Sequence, residues 1–237
     1  MKTARLLLAV DLSESPSIPG PFLELVRSVE LVLLGMYEVP EQTAPAQAKD
    51  QYEEESTRKL KALVRDVEAA GGVAESRMVF TGRRIDTIDR IAREMACDAV
   101  CELRPMEELE RILVPIKSAR HYWVPEFVAD LVEEDGVEIL LYHADEEDGG
   151  DTKARMLQTI KQRLIREGTD PNAVRAFAEH TSDRSEAIVA KASEYDLLVI
   201  GETETTLAGR LFGELHEEVA EAVSCPVIVV RRPPSAR

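Results

Sequence analysis

The chain carries one building unit twice, with its blocks in the same order each time. Arg5-Leu6-Leu7-Leu8-Ala9-Val10 returns as Arg111-Ile112-Leu113-Val114-Pro115-Ile116. Arg84-Ile85-Asp86-Thr87-Ile88, followed by Cys97-Asp98-Ala99-Val100, returns as Arg184-Ser185-Glu186-Ala187-Ile188, followed by Tyr195-Asp196-Leu197-Leu198-Val199-Ile200. Blocks repeated at nearly the same separation mean that one supersecondary unit was duplicated, so the fold is read half by half. Only the second half continues, through a glycine-containing loop from Glu202 to Arg210 and a helix from Gly213 to Val223. It ends on a last apolar run, Pro226-Val227-Ile228-Val229-Val230. In the first half about seven residues separate Leu103 from Arg111, too few for another helix and strand.

The apolar runs are short and continuous, as in strands covered on both faces of a parallel sheet. Between them Leu60, Leu63, Val64 and Val67 recur at helical spacing, and Gly71-Gly72 stops that helix. The predicted order in the first half is strand 5–10, a short helix 22–26, strand 30–39, helix 49–70, strand 73–80, helix 86–95 and strand 98–103. The second half repeats it as strand 111–116, helix 123–134, strand 137–143, helix 152–167, strand 173–179, helix 184–194 capped by Asp183, and strand 197–201. This alternation predicts right-handed crossovers and an α/β fold: two tandem open parallel-sheet, Rossmann-like domains with helices on both faces. The expected boundaries are 1–105 for a first domain lacking the last helix and strand, and 110–237 for the second. The tail from Arg231 to Arg237 is expected to be loose.

A hydrophobic content of 44% supplies a core for both halves. The net charge of −16 comes from 45 acidic against 29 basic residues, of which eight are Lys. Such a surface suits a cytosol of high salt, and equally an ordinary acidic cytosolic protein. In either case it repels phosphate backbones, and nucleic acid is not an expected partner. Three cysteines, Cys97, Cys101 and Cys225, cannot form an even disulfide framework and lie beside predicted strands, where they read as small core hydrophobes. No run approaches the ~18 apolar residues of a membrane span, and the N-terminal apolar run is too short for a signal peptide. The expected location is cytoplasmic.

Three further blocks carry a resemblance: Arg111 to Ile116, Asp196-Leu197-Leu198-Val199-Ile200-Gly201, and Gly213 with Glu217-Glu218-Val219 leading to Ser224-Cys225-Pro226-Val227-Ile228-Val229-Val230. In this combination the sequence resembles the universal stress protein family in a two-domain form. The resemblance implies a five-stranded parallel sheet and a homodimer paired through the last strand, here Val227 to Arg231; the rival within one chain is docking of that edge against the incomplete first domain. It also implies a choice, since one branch of the family binds ATP and another does not. The ATP-binding branch carries a G-x2-G-x9-G-[S/T] loop after the fourth strand, whose glycines let successive N–H groups approach the phosphates at a helix N-terminus.

On this pattern the first glycine is Gly201 and the last is Gly213, but Glu204 stands at the middle glycine, Glu214 at the hydroxyl, and the span is one residue short. Each carboxylate, if partly desolvated beside polyphosphate, costs roughly 1 kcal/mol or more. The first strand of an ATP-binding relative is followed by an Asp. Asp11 stands there in the first half, which has no glycine loop, and Lys117 in the second. The candidate ligand residues are therefore Gly201, Thr203, Gly209, Gly213 and Lys117, which would hold ATP in a shifted geometry. His121, His143, His180 and His216 are scattered without metal-ligand spacing, and no nucleophile or acid/base pair stands out, so neither a metal nor a catalytic residue is expected. Tyr122 and Trp123 read as packing residues that open a helix. The expectation is a non-catalytic stress or regulatory protein acting through contacts with an unidentified protein, with no cofactor expected and ATP as the rival ligand.

Overall fold

A computed structural model of the chain describes residues 3–39, 45–132, 136–145, 150–202 and 219–232. The chain divides into two compact units, Met1–Leu103 and Arg104–Arg237.

In the first unit β1 (Arg5–Asp11), β2 (Glu30–Glu38), β3 (Val73–Thr81) and β4 (Ala99–Glu102) are parallel in the order β3-β2-β1-β4. Between them run α1 (Gly20–Leu25), a 3-10 turn (Val26–Ser28), α2 (Pro45–Ala69) and α3 (Arg84–Glu94). Alternate residues of a strand face opposite sides, and the contacts sort the helices accordingly. Thr57 of α2 reaches Met78 Sδ at 3.9 Å, and Tyr52 of α2 stacks on Tyr37. From the other face of β3, Arg77 bonds Glu94 at 2.8 Å and Thr81 meets Thr87 at 2.9 Å, both partners on α3. With both faces covered, Leu6, Leu7, Leu8, Val32, Leu33 and Leu34 are wholly buried. This is why these strands read as continuous apolar runs. Past the end of α2, Gly71 takes the left-handed conformation (φ 90°), and the Gly72 N–H returns to the Val67 carbonyl at 3.0 Å.

In the second unit β5 (Arg111–Pro115), β6 (Glu138–Asp145), β7 (Val174–His180), β8 (Leu197–Gly201) and β9 (Val227–Val230) are parallel in the order β9-β8-β5-β6-β7. Its helices are a 3-10 turn (Ala119–His121), α4 (Trp123–Leu131), α5 (Gly150–Arg166) and α6 (Arg184–Ala192), with residues 219–222 also helical. One face of the sheet packs Leu113, Leu140, Tyr142, Leu198 and Ile200 against Ile188, Ala192 and Val219. The opposite face meets α4 and α5. The Asp183 carboxylate accepts the Glu186 N–H at 3.0 Å, the predicted cap of α6.

The N-terminal ends of the paired strands explain the sequence repeat. Asp98 accepts the Arg5 N–H at 2.9 Å and returns its own N–H to the Arg5 carbonyl at 2.8 Å. Asp196 does the same with Arg111, at 2.8 and 3.0 Å. The recurring Arg and Asp thus clamp the first strand of each unit to its fourth.

Two expectations are corrected. The helix predicted over 123–134 stops at Leu131, because Val132 leaves the helical region (φ −101°, ψ 95°). Arg232, expected in a loose tail, donates its N–H to Glu202 at 2.9 Å. Apart from Glu202, the predicted loop 202–210 lies outside the described residues, as does most of the helix 213–223. Cys97, Cys101 and Cys225 are buried. No described helix is long and apolar enough to cross a membrane.

Candidate ligand crevice

In both units the strand order reverses beside the first strand, which lies between the second and the fourth. In open α/β sheets that switch point, at the C-terminal strand ends, is where ligands bind. It lies between β1 and β4 in the first unit and between β5 and β8 in the second.

In the second unit β5 runs out into Ile116, whose N–H reaches the Tyr142 carbonyl at 2.7 Å, and then Lys117, which is exposed. The chain turns through Ser118, whose hydroxyl lies 3.1 Å from His121 Nδ1, into α4. At the end of β8, a Cβ built on Gly201 would lie 2.6 Å from Val124 Cγ2, 3.6 Å from the His121 ring and 3.9 Å from Trp123 Nε1. The first turn of α4 therefore rests directly on the strand end, and that approach requires glycine. The Trp123 indole is 6% exposed, with His121 at 5.0 Å, Tyr122 edge-on at 5.9 Å and the Arg232 guanidinium 5.9 Å from its ring. Its Nε1 is buried and has no hydrogen-bond partner among the described residues.

The neighbouring strand end carries a charged tie. Buried His143 has Nδ1 2.6 Å from the Ile116 carbonyl and Nε2 3.4 Å from Asp145 Oδ2, and that same oxygen pairs with Lys153 at 2.6 Å. Beside it, burial holds the Arg184 guanidinium below its ordinary value against the opposing influence of Asp145. These contacts tie β5, β6 and α5 together. Among the described residues no three His, Cys, Asp or Glu side chains converge as metal ligands would.

In the first unit the corresponding end is folded in on itself. Asp11 accepts both the N–H and the hydroxyl of Ser13, at 2.8 and 2.7 Å, so its carboxylate serves its own turn. Leu12 is 1% exposed and lies over Gly35, where a Cβ would meet Leu12 Cδ1 at 2.6 Å. Lys59 of α2 donates to the Leu12 carbonyl at 2.9 Å.

Of the residues proposed for a ligand, Gly201 and Lys117 are described, and they occupy the two strand ends flanking the crevice. Thr203, Gly209 and Gly213 lie outside the described residues, as do Glu204 and Glu214. The sequence reading missed the roles of Val124, His121 and Trp123 against Gly201, and the His143–Asp145–Lys153 tie. Trp123, expected with Tyr122 to be a packing residue, is buried, and its neighbour on β8 is about 80 residues away and leaves no local signal.

The sequence model of the universal stress protein family matches residues 108–231, more than half of the chain. Among solved structures, a universal stress protein from Archaeoglobus fulgidus DSM 4304 aligns over 98% of this chain and 97% of its own, with a TM-score of 0.69 at 19% identity. A protein of unknown function from Pseudomonas aeruginosa PAO1 aligns over 99% and 94%, with a TM-score of 0.56 at 14% identity. The cytoplasmic domain of a prokaryotic cation chloride cotransporter aligns over 96% and 95%, with a TM-score of 0.55 at 13% identity. At these identities the structural matches establish the α/β fold and leave the activity open. No curated protein sequence matches. On the family match, and on the parallel sheets that carry it, the chain belongs to the universal stress protein family.

Proposed function

We propose that the protein is a cytoplasmic, non-catalytic universal stress protein that acts in stress response or regulation through protein contacts, with weak or absent ATP binding. The observation that carries this reading is the packing on Gly201. Its missing side chain makes room for Val124, His121 and Trp123 of the same unit, so the first glycine of the loop has a structural reason to be glycine with no phosphate present. Lys117 follows β5 in place of an Asp, and the Asp11 carboxylate is engaged by Ser13. Glu204 and Glu214 in the loop sequence add charge repulsion toward polyphosphate. The partner includes a second copy of the chain paired along Val227 to Arg231. A solution mass twice the 26.4 kDa of one chain supports that pairing, and a monomer mass discards it.

The rival reading is a nucleotide sensor using Gly201, Gly209, Gly213 and Lys117. Titration calorimetry with Mg-ATP separates the two. Absence of heat up to millimolar ATP from folded protein supports the protein-contact reading. Micromolar saturable binding that is lost in Gly213→Asp replaces it with the sensor.

A further inference from the structure

The first unit has a second recessed site, away from the crevice, along the edge of its sheet. Among the described residues β3 pairs with β2 alone. Thr81 gives its carbonyl to the Val39 N–H at 2.9 Å. Main-chain groups alternate sides along a strand, so the N–H and C=O groups of Ser76, Met78 and Phe80 point to the open side. A cavity of about 420 Å³ runs along this stretch, lined by the strand residues Arg77 to Phe80, by Lys49 and Glu53 of α2, and by Arg90 of α3. Because α2 and α3 cover opposite faces, a cavity touching both must open along the strand edge. Such an edge, with unpaired main-chain groups and side chains from both layers beside it, is the geometry used for strand addition.

Its charge is the reverse of the chain's. Three of the lining side chains are cations and one is a carboxylate, in a protein of net charge −16. Lys49 pairs with Glu53 at 3.6 Å, while Arg77 and Arg90 share Glu94 at 2.8 and 2.7 Å. These side chains are 41 to 55% exposed, so their pairs are weak and exchangeable, and one carboxylate serves two guanidiniums. We propose that this groove accepts an extended acidic segment of a partner protein, added as a strand along β3. Successive carboxylates of that segment would alternate between Lys49 on one face and Arg77 with Arg90 on the other. The proposal rests on the protein-contact reading and gives it a partner chemistry.

The test is fluorescence anisotropy of the full chain at near-physiological salt, where screening over ~8 Å leaves the groove's own charges in control. The probe is a labelled acetylated peptide of two Glu-Glu-Val-Val repeats, which presents carboxylates on both faces of a strand, and the counter-probe has two Lys-Lys-Val-Val repeats. Expected are saturable binding of the acidic probe, about tenfold or more tighter than the basic one, and a comparable loss in Met78→Pro, which removes an outward N–H. Lys49→Glu, at an exposed side chain, weakens the acidic probe by about threefold or more with an unchanged melting temperature, and keeps the test valid should Met78→Pro not fold. Equal binding of the two probes overturns the proposal. So does wild-type binding by the folded variants, or full displacement by millimolar inorganic phosphate, which would mark a simple anion site. Failure here, with no heat from ATP, removes this groove and leaves the protein-contact reading standing. Heat from ATP removes that reading.

Discussion

At the N-terminal edge of the sheet the two units use the same chemistry: Arg5 with Asp98 in one, Arg111 with Asp196 in the other. At the C-terminal edge they part. The first unit turns Asp11 onto Ser13 and lays Leu12 over Gly35, whereas the second exposes Lys117 and lays the start of α4 over Gly201. The end that clamps strands kept its residues through the duplication, while the C-terminal end was filled in two different ways. Repetition within this chain therefore marks what holds the fold, and divergence marks the ground on which function is decided.

The sharpest break in that comparison would come from the clamps. Asp98→Ala and Asp196→Ala each leave strand-end N–H groups without their charged acceptor, at an expected cost of about 1.5–3 kcal/mol in urea unfolding. A loss confined to one of the two would mean that the repeat is not a shared structural device. Next come the glycines. Gly201→Ala drives a Cβ to 2.6 Å from Val124 Cγ2, a β-branched side chain held stiffly in a helix, and should cost about 1–3 kcal/mol. Gly35→Ala meets only the flexible ends of Leu12 and Leu60 and should cost less than Gly201→Ala in the same assay. The reverse order would show that the first unit's end is the more tightly packed.

A smaller contrast lies at the helices after the third strands. α6 is capped by Asp183, but its counterpart α3 has Arg83 at the N-cap position, which makes no side-chain cap. Asp183→Ala should lose about 1 kcal/mol, and Arg83→Asp should gain a comparable amount. No gain would argue that Thr81, which already accepts the Arg83 N–H, fixes that turn alone.

The smallest effect is one of sign. Burial first, and then Glu167, push the Asp130 carboxyl up. The folded state then binds more protons than the unfolded chain above the usual Asp range, and this contribution to stability falls as pH rises through that window. The Glu94 carboxyl is held down by its hydrogen bond from Arg90 and then by Arg77. Its contribution is present above the usual Glu range and lost as pH falls. Stability against pH should accordingly flatten in opposite directions for Asp130→Asn and Glu94→Gln, and slopes of the same sign would refute the assignment.

Strand positions were legible because each central strand is covered on both faces and must be apolar throughout: Leu6 to Leu8 and Leu197 to Ile200 announce themselves. Parallel pairing followed from the alternation of strand and helix, whereas the lateral order of the strands has no local signal. The helix ending at Leu131 was not legible, because Val132 and the residues after it remain compatible with a helix in composition. The crevice was legible in part. Gly201 and Lys117 were named as a ligand glycine and a ligand cation, but a glycine required by a phosphate and one required by Val124 are the same letter. Only the distance between two segments about 80 residues apart separates these meanings, and no local pattern encodes it.

The buried sulfurs have a consequence of their own. Cys101 sits on β4 at 1% exposure and Cys225 beside β9 at 7%, and burial pushes both thiols up, away from the reactive thiolate. A protein of a stress-response family thus meets oxidants with these two sulfurs shut away in their protonated form. Oxidation or labelling at Cys101 or Cys225 then has to wait for the surrounding strand to open, one thiol in each unit. The two labelling rates become clocks, already built into the chain, for how often each sheet breathes.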